Sequence, residues 1–378
     1  MPTTMNTQLV EVTGKRLLRT YIYLPKTLYH EYVDWVPPIF QDEFVFHDPA
    51  KNEALGHADV VRYLAFRNDR PVGRVMGIIH RTYNEKHQEK TVRFNQLDCV
   101  EDPAVFQLLL SRIESWGRSK GCDRIIGPYG FSDKDPQGYQ VEGYEFRSLI
   151  AAPSHPPYLP GFLSDLGYQK EVDCVSYLFP VPEKLPQVYY QIAERLGKRT
   201  LRLKEFTSKR QIRPYIIPVF RLVNEAYAPL FGFVPMSDTE IVKFANQYLP
   251  ILDTDFVKIV VNEHDEVVAF VVAMPNMSRG LQRAKGELFP FGFLKILYSM
   301  RKANQLDLLL GAVKPSYRGK GVAVLLAISL LAAAYRRGMK KIDSHLILET
   351  NALMRAECEN LDGQLHKRYR VFQKSLVT

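Results

Sequence analysis

A strand–loop–helix written between Leu306 and Gly338 constrains this chain more than any other feature. The run 306–313 is apolar except for Asp307 and reads as a buried strand. Val324-Leu-Leu-Ala-Ile-Ser-Leu-Leu-Ala-Ala-Ala334 reads as a buried helix that Gly338 caps. Between them, Val313-Lys-Pro-Ser-Tyr-Arg-Gly-Lys-Gly-Val-Ala323 puts two glycines at the helix start. Gly319 and Gly321 let the backbone approach a ligand without Cβ interference. Successive N–H groups there, with Arg318 and Lys320 alongside, make a site for a pyrophosphate. Other phosphate loops do not fit. Nothing supplies the Gly-Lys-Ser/Thr of a Walker loop. Val324 stands where a dinucleotide fingerprint needs its third small residue.

The order of elements runs twice through the chain. A hairpin at 60–66 and 72–79 has its counterpart at 256–261 and 267–273, with turn residues between the strands each time. Each hairpin precedes another strand and then a helix, 105–119 or 323–337, which ends near Gly121 or Gly338 and leads to a strand at 123–126 or 341–348. Pro, Lys and Arg gather between 180 and 210, where the seam is expected, and a helical pattern follows over 214–227. The halves differ at the loop. Where the second has Arg318-Gly-Lys-Gly321, the first has Cys99-Val-Glu-Asp-Pro-Ala-Val105, and Glu101 and Asp102 repel a pyrophosphate.

Arg318-x-x-Gly321-x-Ala323 between strand and helix resembles the acyl-CoA pyrophosphate loop of the GNAT acyltransferase superfamily. The tandem arrangement, Leu288-Phe-Pro-Phe-Gly-Phe293 and the ending Ile347-Leu-Glu-Thr-Asn351 extend the resemblance over nearly the whole chain. They point to a tandem-domain bacterial group similar to bacterial ceramide synthase-like N-acyltransferases. The implied fold class is α/β (α+β), with two tandem GNAT-like domains, each a mixed, mostly antiparallel sheet flanked by helices. Residues 1–180 form a degenerate GNAT-like domain in this reading, 181–210 a linker, and 211–378 the acyl-CoA-binding domain with an insertion at 276–305. The resemblance implies acetyl-CoA or a longer acyl-CoA as co-substrate and no metal. Leu310, Gly311 and Val313 would hold it from the strand, with Arg318, Gly319, Lys320, Gly321, Val322 and Ala323 in the loop, and Asn351 beyond.

The insertion carries Glu287-Leu-Phe-Pro-Phe-Gly-Phe-Leu-Lys-Ile-Leu-Tyr-Ser-Met300, flanked by Arg279, Arg283, Lys285, Arg301 and Lys302. Apolar residues framed by cations fit peripheral contact with an anionic membrane or the lining of an alkyl channel; they also fit a helix packed on the domain pair. The formal net charge of +9 favours polyanions. With no zinc-finger or recognition-helix signature, nucleic acid is set aside. The 13-residue run 322–334 is too short to span a bilayer, residues 1–13 lack a secretory core, and Cys99, Cys122, Cys174 and Cys358 are scattered. A reducing, cytoplasmic setting is expected, and the inner membrane is the surface for any peripheral contact.

Transfer from a thioester to an amine needs a base for the ammonium proton and favours a donor for the departing thiolate. The resemblance sets the thioester carbonyl beside 309–313. The family's thiolate-protonating tyrosine falls seven residues after Asn351, where this chain has Cys358. In Asp343-Ser-His-Leu-Ile-Leu-Glu349, strand alternation puts Asp343, His345 and Glu349 on one face. Glu349, at the strand end, is the first choice for the base. His345 titrates in the right range, Tyr369 is a further candidate, and Asn351 is the helix cap and a cofactor contact. The expected activity is acyl-CoA-dependent transfer to a primary amine, small-molecule or lipid, including a sphingoid base. Acetylation of a small amine or peptide and non-catalytic acyl-CoA binding are the alternatives. The oligomeric state is not fixed by sequence.

Overall fold

The structure, a computed structural model, describes residues 7–150, 152–197 and 201–377. Its first half contains β1 (Thr7–Glu11), α1 (Gly14–Leu28), α2 (Phe40–Phe46), β2 (Ala58–Arg67), β3 (Arg70–His80), α3 (Arg81–His87) and β4 (Thr91–Cys99). Then come α4 (Pro103–Ser119), β5 (Arg124–Gly127), β6 (Tyr139–Glu142), α5 (Tyr158–Asp165) and β7 (Gln169–Pro180). The second half opens with α6 (Gln187–Gly197), β8 (Arg202–Lys204), α7 (Lys209–Ile212), α8 (Ile216–Tyr227) and α9 (Asp238–Tyr248). It continues through β9 (Val257–Val261), β10 (Val267–Pro275), α10 (Ser278–Ala284), α11 (Gly292–Arg301) and β11 (Gln305–Val313). Last are α12 (Val322–Arg336), β12 (Lys341–Asp343), β13 (Ile347–Leu348), α13 (Ala352–Glu359) and β14 (Gln364–Ser375).

All these strands join one sheet in the order β1-β2-β3-β4-β5-β14-β7-β12-β11-β10-β9-β8, with β6 on β14 and β13 on β7. Each half is a mixed, mostly antiparallel sheet with helices on it, the architecture expected of tandem GNAT domains. The halves exchange their last strands. β14 lies against β5 of the first half, Phe372 opposite Gly127, while β7 lies against β12 of the second, Phe179 opposite Ile342. The stretch 181–210, read from sequence as a linker, contains α6 and β8, and β8 pairs β9 at the sheet edge. Residues 198–200 of that stretch lie outside the described residues.

The helices bury the faces that their periodicity dictates. α4 places Val105, Phe106, Leu109, Leu110 and Ile113 on the first half of the sheet beside Val92 and Phe94. α12 sets Leu330, Leu331, Ala333 and Ala334 against Val175, Tyr177 and Phe179 of β7 and Ile342 of β12. Each fully buried leucine or phenylalanine contributes about 1.5–3 kcal/mol. The second half's central helix therefore rests partly on the first half's last strand.

Candidate active site

The parallel ladder between β11 and β12 is three residues long: Gln305–Lys341, Leu306–Ile342 and Asp307–Asp343. Past Asp307, β11 runs on to Val313 with β10 as its strand partner among the described residues. The strands part and leave a wedge, with Leu310, Gly311 and Val313 along its β11 side. A 3₁₀ turn over Pro315–Tyr317 follows, then α12 begins. Gly319 has φ +70° and Gly321, the N-cap, has φ +81°, a region that glycine enters without strain. No side chain caps α12 among the described residues; Val324 N–H donates to Gly321 O at 2.9 Å, which leaves the Val322 and Ala323 amides as donors for a ligand. Lys320 is exposed, its ammonium 5.5 Å from the Tyr317 ring centroid. Arg318 donates to Val313 O and Ala226 O, 3.3 Å each, which fixes the loop to the end of α8. A strand edge with no strand facing it, contacted by the Arg318 and Tyr227 side chains, leads into an uncapped, glycine-shaped helix start and fits an acyl-CoA.

Titratable groups gather at the floor of the wedge. Ser176 on β7 donates to Asp343 Oδ1 at 2.6 Å, and His366 Nε2 on β14 lies 3.0 Å from Asp343 Oδ2. Lys367 Nζ is 3.9 Å from that oxygen and donates to Arg147 O. Ser176 Oγ also lies 3.1 Å from His366 Nε2, so one ring nitrogen meets both serine and aspartate. A Ser-His-Asp relay needs the two ring nitrogens separately, and this arrangement does not supply that. Burial opposes the charge on Asp343, but His366, Lys367 and Ser176 outweigh it and hold the carboxyl below its ordinary range. Asp307 goes the other way. Burial and the Asp343 carboxylate push it up to about 7, against hydrogen bonds from Gln305 and Asn276.

The strand read over 341–348 breaks after Asp343. His345 has φ +61°, an uncommon and strained conformation for a residue with a Cβ. Its N–H donates to Asp343 Oδ1 at 3.1 Å, and its carbonyl accepts from Ser344 Oγ at 2.9 Å. The alternation that would set Asp343, His345 and Glu349 on one face is therefore absent; His345 breaks the strand just after the point where β11 and β12 part. Burial lowers its pKa, with Asp343 pulling the other way, so the imidazole is neutral near pH 7.

Glu349 sits in a charge network with β7 and β14. Lys170 Nζ lies 2.5 Å from Oε1 and Arg368 Nη1 3.7 Å from Oε2, and Asp173 N–H donates to Oε1 at 3.3 Å. Tyr369 is fully buried and donates its hydroxyl to Ala152 O at 2.9 Å. Asn351 caps α13, its side chain accepting from Met354 N at 3.2 Å, as the sequence suggested. Cys358 is buried with Val175, Leu306 and Ile342, and burial pushes its thiol up to about 12.

One residue at the wedge escaped sequence reading. Tyr227, at the end of α8, donates its hydroxyl to Gly311 O at 2.9 Å and stands 3.4 Å from Gly311 N. No motif marks it, because α8 and β11 are brought together only by the fold. Asp307, by contrast, was visible as the lone acid in an apolar strand.

The first half shows the same wedge filled. β4 and β5 share a three-residue parallel ladder, Thr91–Arg124 to Arg93–Ile126. Past it, Phe94 O accepts from Tyr129 N, Leu97 O from the Tyr139 hydroxyl and Cys99 O from the Tyr158 hydroxyl. The start of α4 is capped too. Asp102 Oδ1 accepts from Ala104 N at 2.9 Å and Val105 N at 3.4 Å.

No protein-family model matches the chain. Protein YghO of Escherichia coli (strain K12) is 26% identical over 375 residues, 96% of this chain and 94% of that protein. Bacterial ceramide synthase of Caulobacter vibrioides (strain NA1000 / CB15N) is 27% identical over 371 residues, 95% of each. Among solved structures, a tandem GNAT protein from the clavulanic acid biosynthesis pathway superposes with a TM-score of 0.57 at 12% identity, covering 99% of both chains.

Proposed function

We propose that this chain, a tandem GNAT-type N-acyltransferase, moves the acyl group of an acyl-CoA to the primary amine of a lipid, a sphingoid base or a molecule like it. The open wedge in the second half, leading to an uncapped helix start, is the observation that carries the acyl-CoA part. The filled wedge and capped helix of the first half support a supporting role for it, without a cofactor of its own. Leu310, Gly311 and Val313 would hold the donor along β11, and residues 318–323 would hold its pyrophosphate.

His345 is the proposed base. It is neutral near pH 7, held by backbone contacts in a strained turn, and has the anionic Asp343 beside it to stabilise an imidazolium. Glu349 is committed to Lys170 and Arg368, which reduces its availability for proton transfer. The thioester supplies the activated acyl carbon; the chain's residues orient it and take the amine proton.

The lipid part rests on α11 and on the 27% identity to a protein named bacterial ceramide synthase. Phe289, Phe291 and Tyr298 are 72%, 66% and 57% exposed, and Phe293, Leu294 and Leu297 are exposed beside them. Arg279, Arg283, Lys285, Lys295, Arg301 and Lys302, all exposed, surround this patch. On its other face α11 packs Ile296 and Met300 on Leu281, Met277 and Val36. An apolar patch framed by cations suits peripheral contact with an anionic membrane, where a lipid amine would be met. No helix among the described residues is long and apolar enough to cross a membrane.

The test is thiol release from acyl-CoAs of increasing chain length, acetyl to palmitoyl, with and without a sphingoid amine and detergent. Amine-dependent release that rises with chain length is expected. Release from acetyl-CoA alone among the donors would replace the lipid reading with a small-amine acetyltransferase. Binding without turnover across amine classes would replace it with a sensor. For the membrane part, co-sedimentation with vesicles containing anionic lipid is expected and should be lost in Phe289→Ser/Phe291→Ser; equal binding by that variant would remove the 289–298 patch as the contact.

A further inference from the structure

We propose that Tyr227 is the residue that hands a proton to the departing thiolate, the task that position 358 cannot perform in this chain. The inference deepens the acyl-CoA reading and rests on it.

Acylating an amine with a thioester forms a C–N bond and breaks a C–S bond. The nitrogen must lose a proton, and the sulfur leaves as a thiolate that gains one. His345 accounts for the first transfer in the proposal above. For the second, Cys358 is 2% exposed and packed in the core among Val175, Leu306 and Ile342, with its thiol held protonated by burial. Tyr369 is committed to Ala152 O and fully buried. Neither presents a proton to the wedge.

Tyr227 does. Its hydroxyl contacts both the N–H and the carbonyl of Gly311, at 3.4 and 2.9 Å, on the part of β11 that has left β12. Those are the backbone groups to which the resemblance assigns the acyl-CoA. The hydroxyl thus lies on the strand edge that a bound thioester would share, and it already uses its proton as a donor there.

The position is built, not incidental. Ala226, the residue before it, has its carbonyl held by Arg318 of the pyrophosphate loop, and Arg318 also holds Val313 O. The Tyr227 ring meets Phe233 edge to face at 6.2 Å. Asp133, on the first-half loop facing this end of α8, is the acidic group acting on the phenol. Burial and Asp133 raise the phenol's pKa, against the contact with Gly311, so the proton is on oxygen at neutral pH. The thiolate formed as the C–S bond breaks draws that proton through a charged hydrogen bond, and the transfer completes as the phenolate is reprotonated. Tyr227 O–H donates to sulfur, and the phenolate regains its proton from the one that His345 took from the amine, through water. The sum is one neutral amine and one thioester to one amide and one thiol; an amine that arrives as ammonium first gives its extra proton to water.

The test uses Tyr227→Phe in the full chain and reads binding as well as turnover. Above neutral pH, calorimetry should show the wild type binding CoA about tenfold or more tighter than desulfo-CoA, which lacks the sulfur, as a hydrogen bond to a charged group implies. The variant should lose that preference while binding desulfo-CoA as the wild type does. With acyl-CoA and amine, kcat should fall on the order of 10²–10⁴-fold with KM for acyl-CoA little changed. Replacing Tyr227 by a fluorinated tyrosine should move the alkaline limb of kcat down with the phenol's acidity. A preserved preference for CoA in Tyr227→Phe, an unchanged kcat or an unmoved limb overturns the proposal. A wild type that binds neither CoA nor desulfo-CoA overturns the acyl-CoA reading itself, which keeps the two failures apart.

Discussion

Arg93 and Asp307 hold the same station in the two halves. Each is the last residue of its strand to keep a parallel partner before the strands part, Arg93 opposite Ile126 and Asp307 opposite Asp343. Their chemistry is opposite, and so is what happens next. The buried Arg93 guanidinium lies between the rings of Tyr83 and Tyr129, at 4.5 and 4.7 Å, and donates to Gly130 O and Phe131 O. It pins the loop that fills the first wedge. Asp307 pins no such loop; it faces a second acid across an open one.

Asp307 gives the fold a pH dependence. Its folded pKa, about 7, is above the unfolded carboxyl value of roughly 4, so its stabilisation is complete below pH ~4 and is lost as pH rises through about 7. Asp307→Asn should gain on the wild type by more than ~1 kcal/mol between pH 5 and pH 8, read by urea unfolding at both. A constant difference would mean that Asp307 is already ionised at pH 5.

Gly321→Ala should weaken acyl-CoA binding at least about tenfold and cost roughly 1–2 kcal/mol of stability, because φ +81° disfavours a Cβ. That Cβ would also come 2.7 Å from Ile192 Cγ2, whereas one at Gly319 would meet nothing within 4 Å. Gly319→Ala should therefore be the milder change. Calorimetry and thermal melts of the pair provide the check.

His345→Gln should lower kcat by roughly 10²–10⁴-fold and leave KM for acyl-CoA nearly unchanged. Burial lowers the imidazole pKa, so wild-type activity should hold down through pH 6.5 and fall only below it, as the ring gains a proton. Glu349→Gln should cost stability through Lys170 and Arg368 with less than about tenfold effect on kcat. The reverse ranking would return Glu349 to the role of base.

A chain ending at residue 363 should fail to fold cooperatively. It would bare the edges of β5 and β7 and remove His366 and Lys367 from Asp343. Circular dichroism and urea unfolding of that truncation decide the matter; a sharp transition near that of the full chain would show that the exchanged strand is dispensable.

Local patterns carried most of the architecture into the sequence. The hairpins β2–β3 and β9–β10, α4, α12 and the loop between β11 and α12 could be read because their signals are contiguous. Non-local pairing could not. Nothing near Gln364 announces that β14 will lie on β5, and nothing in 200–205 announces an edge strand for β9. The site was legible in the same measure. Gly319, Gly321 and the Asn351 cap carry local signatures. The shared face expected for Asp343, His345 and Glu349 failed because one residue, His345, takes a left-handed backbone that alternation does not foresee. Tyr227 reaches Gly311 through tertiary packing alone.

The exchange of β7 and β14 also sets a timetable. On the ribosome the first half is made early, yet β5 keeps one bare edge until β14, which follows all the other described strands, has been made. A nascent first half therefore waits through the synthesis of the second with unpaired backbone exposed, the condition under which strands find wrong partners. The chain does not finish one half and then begin the other; the shared sheet is completed only once β14 is in place.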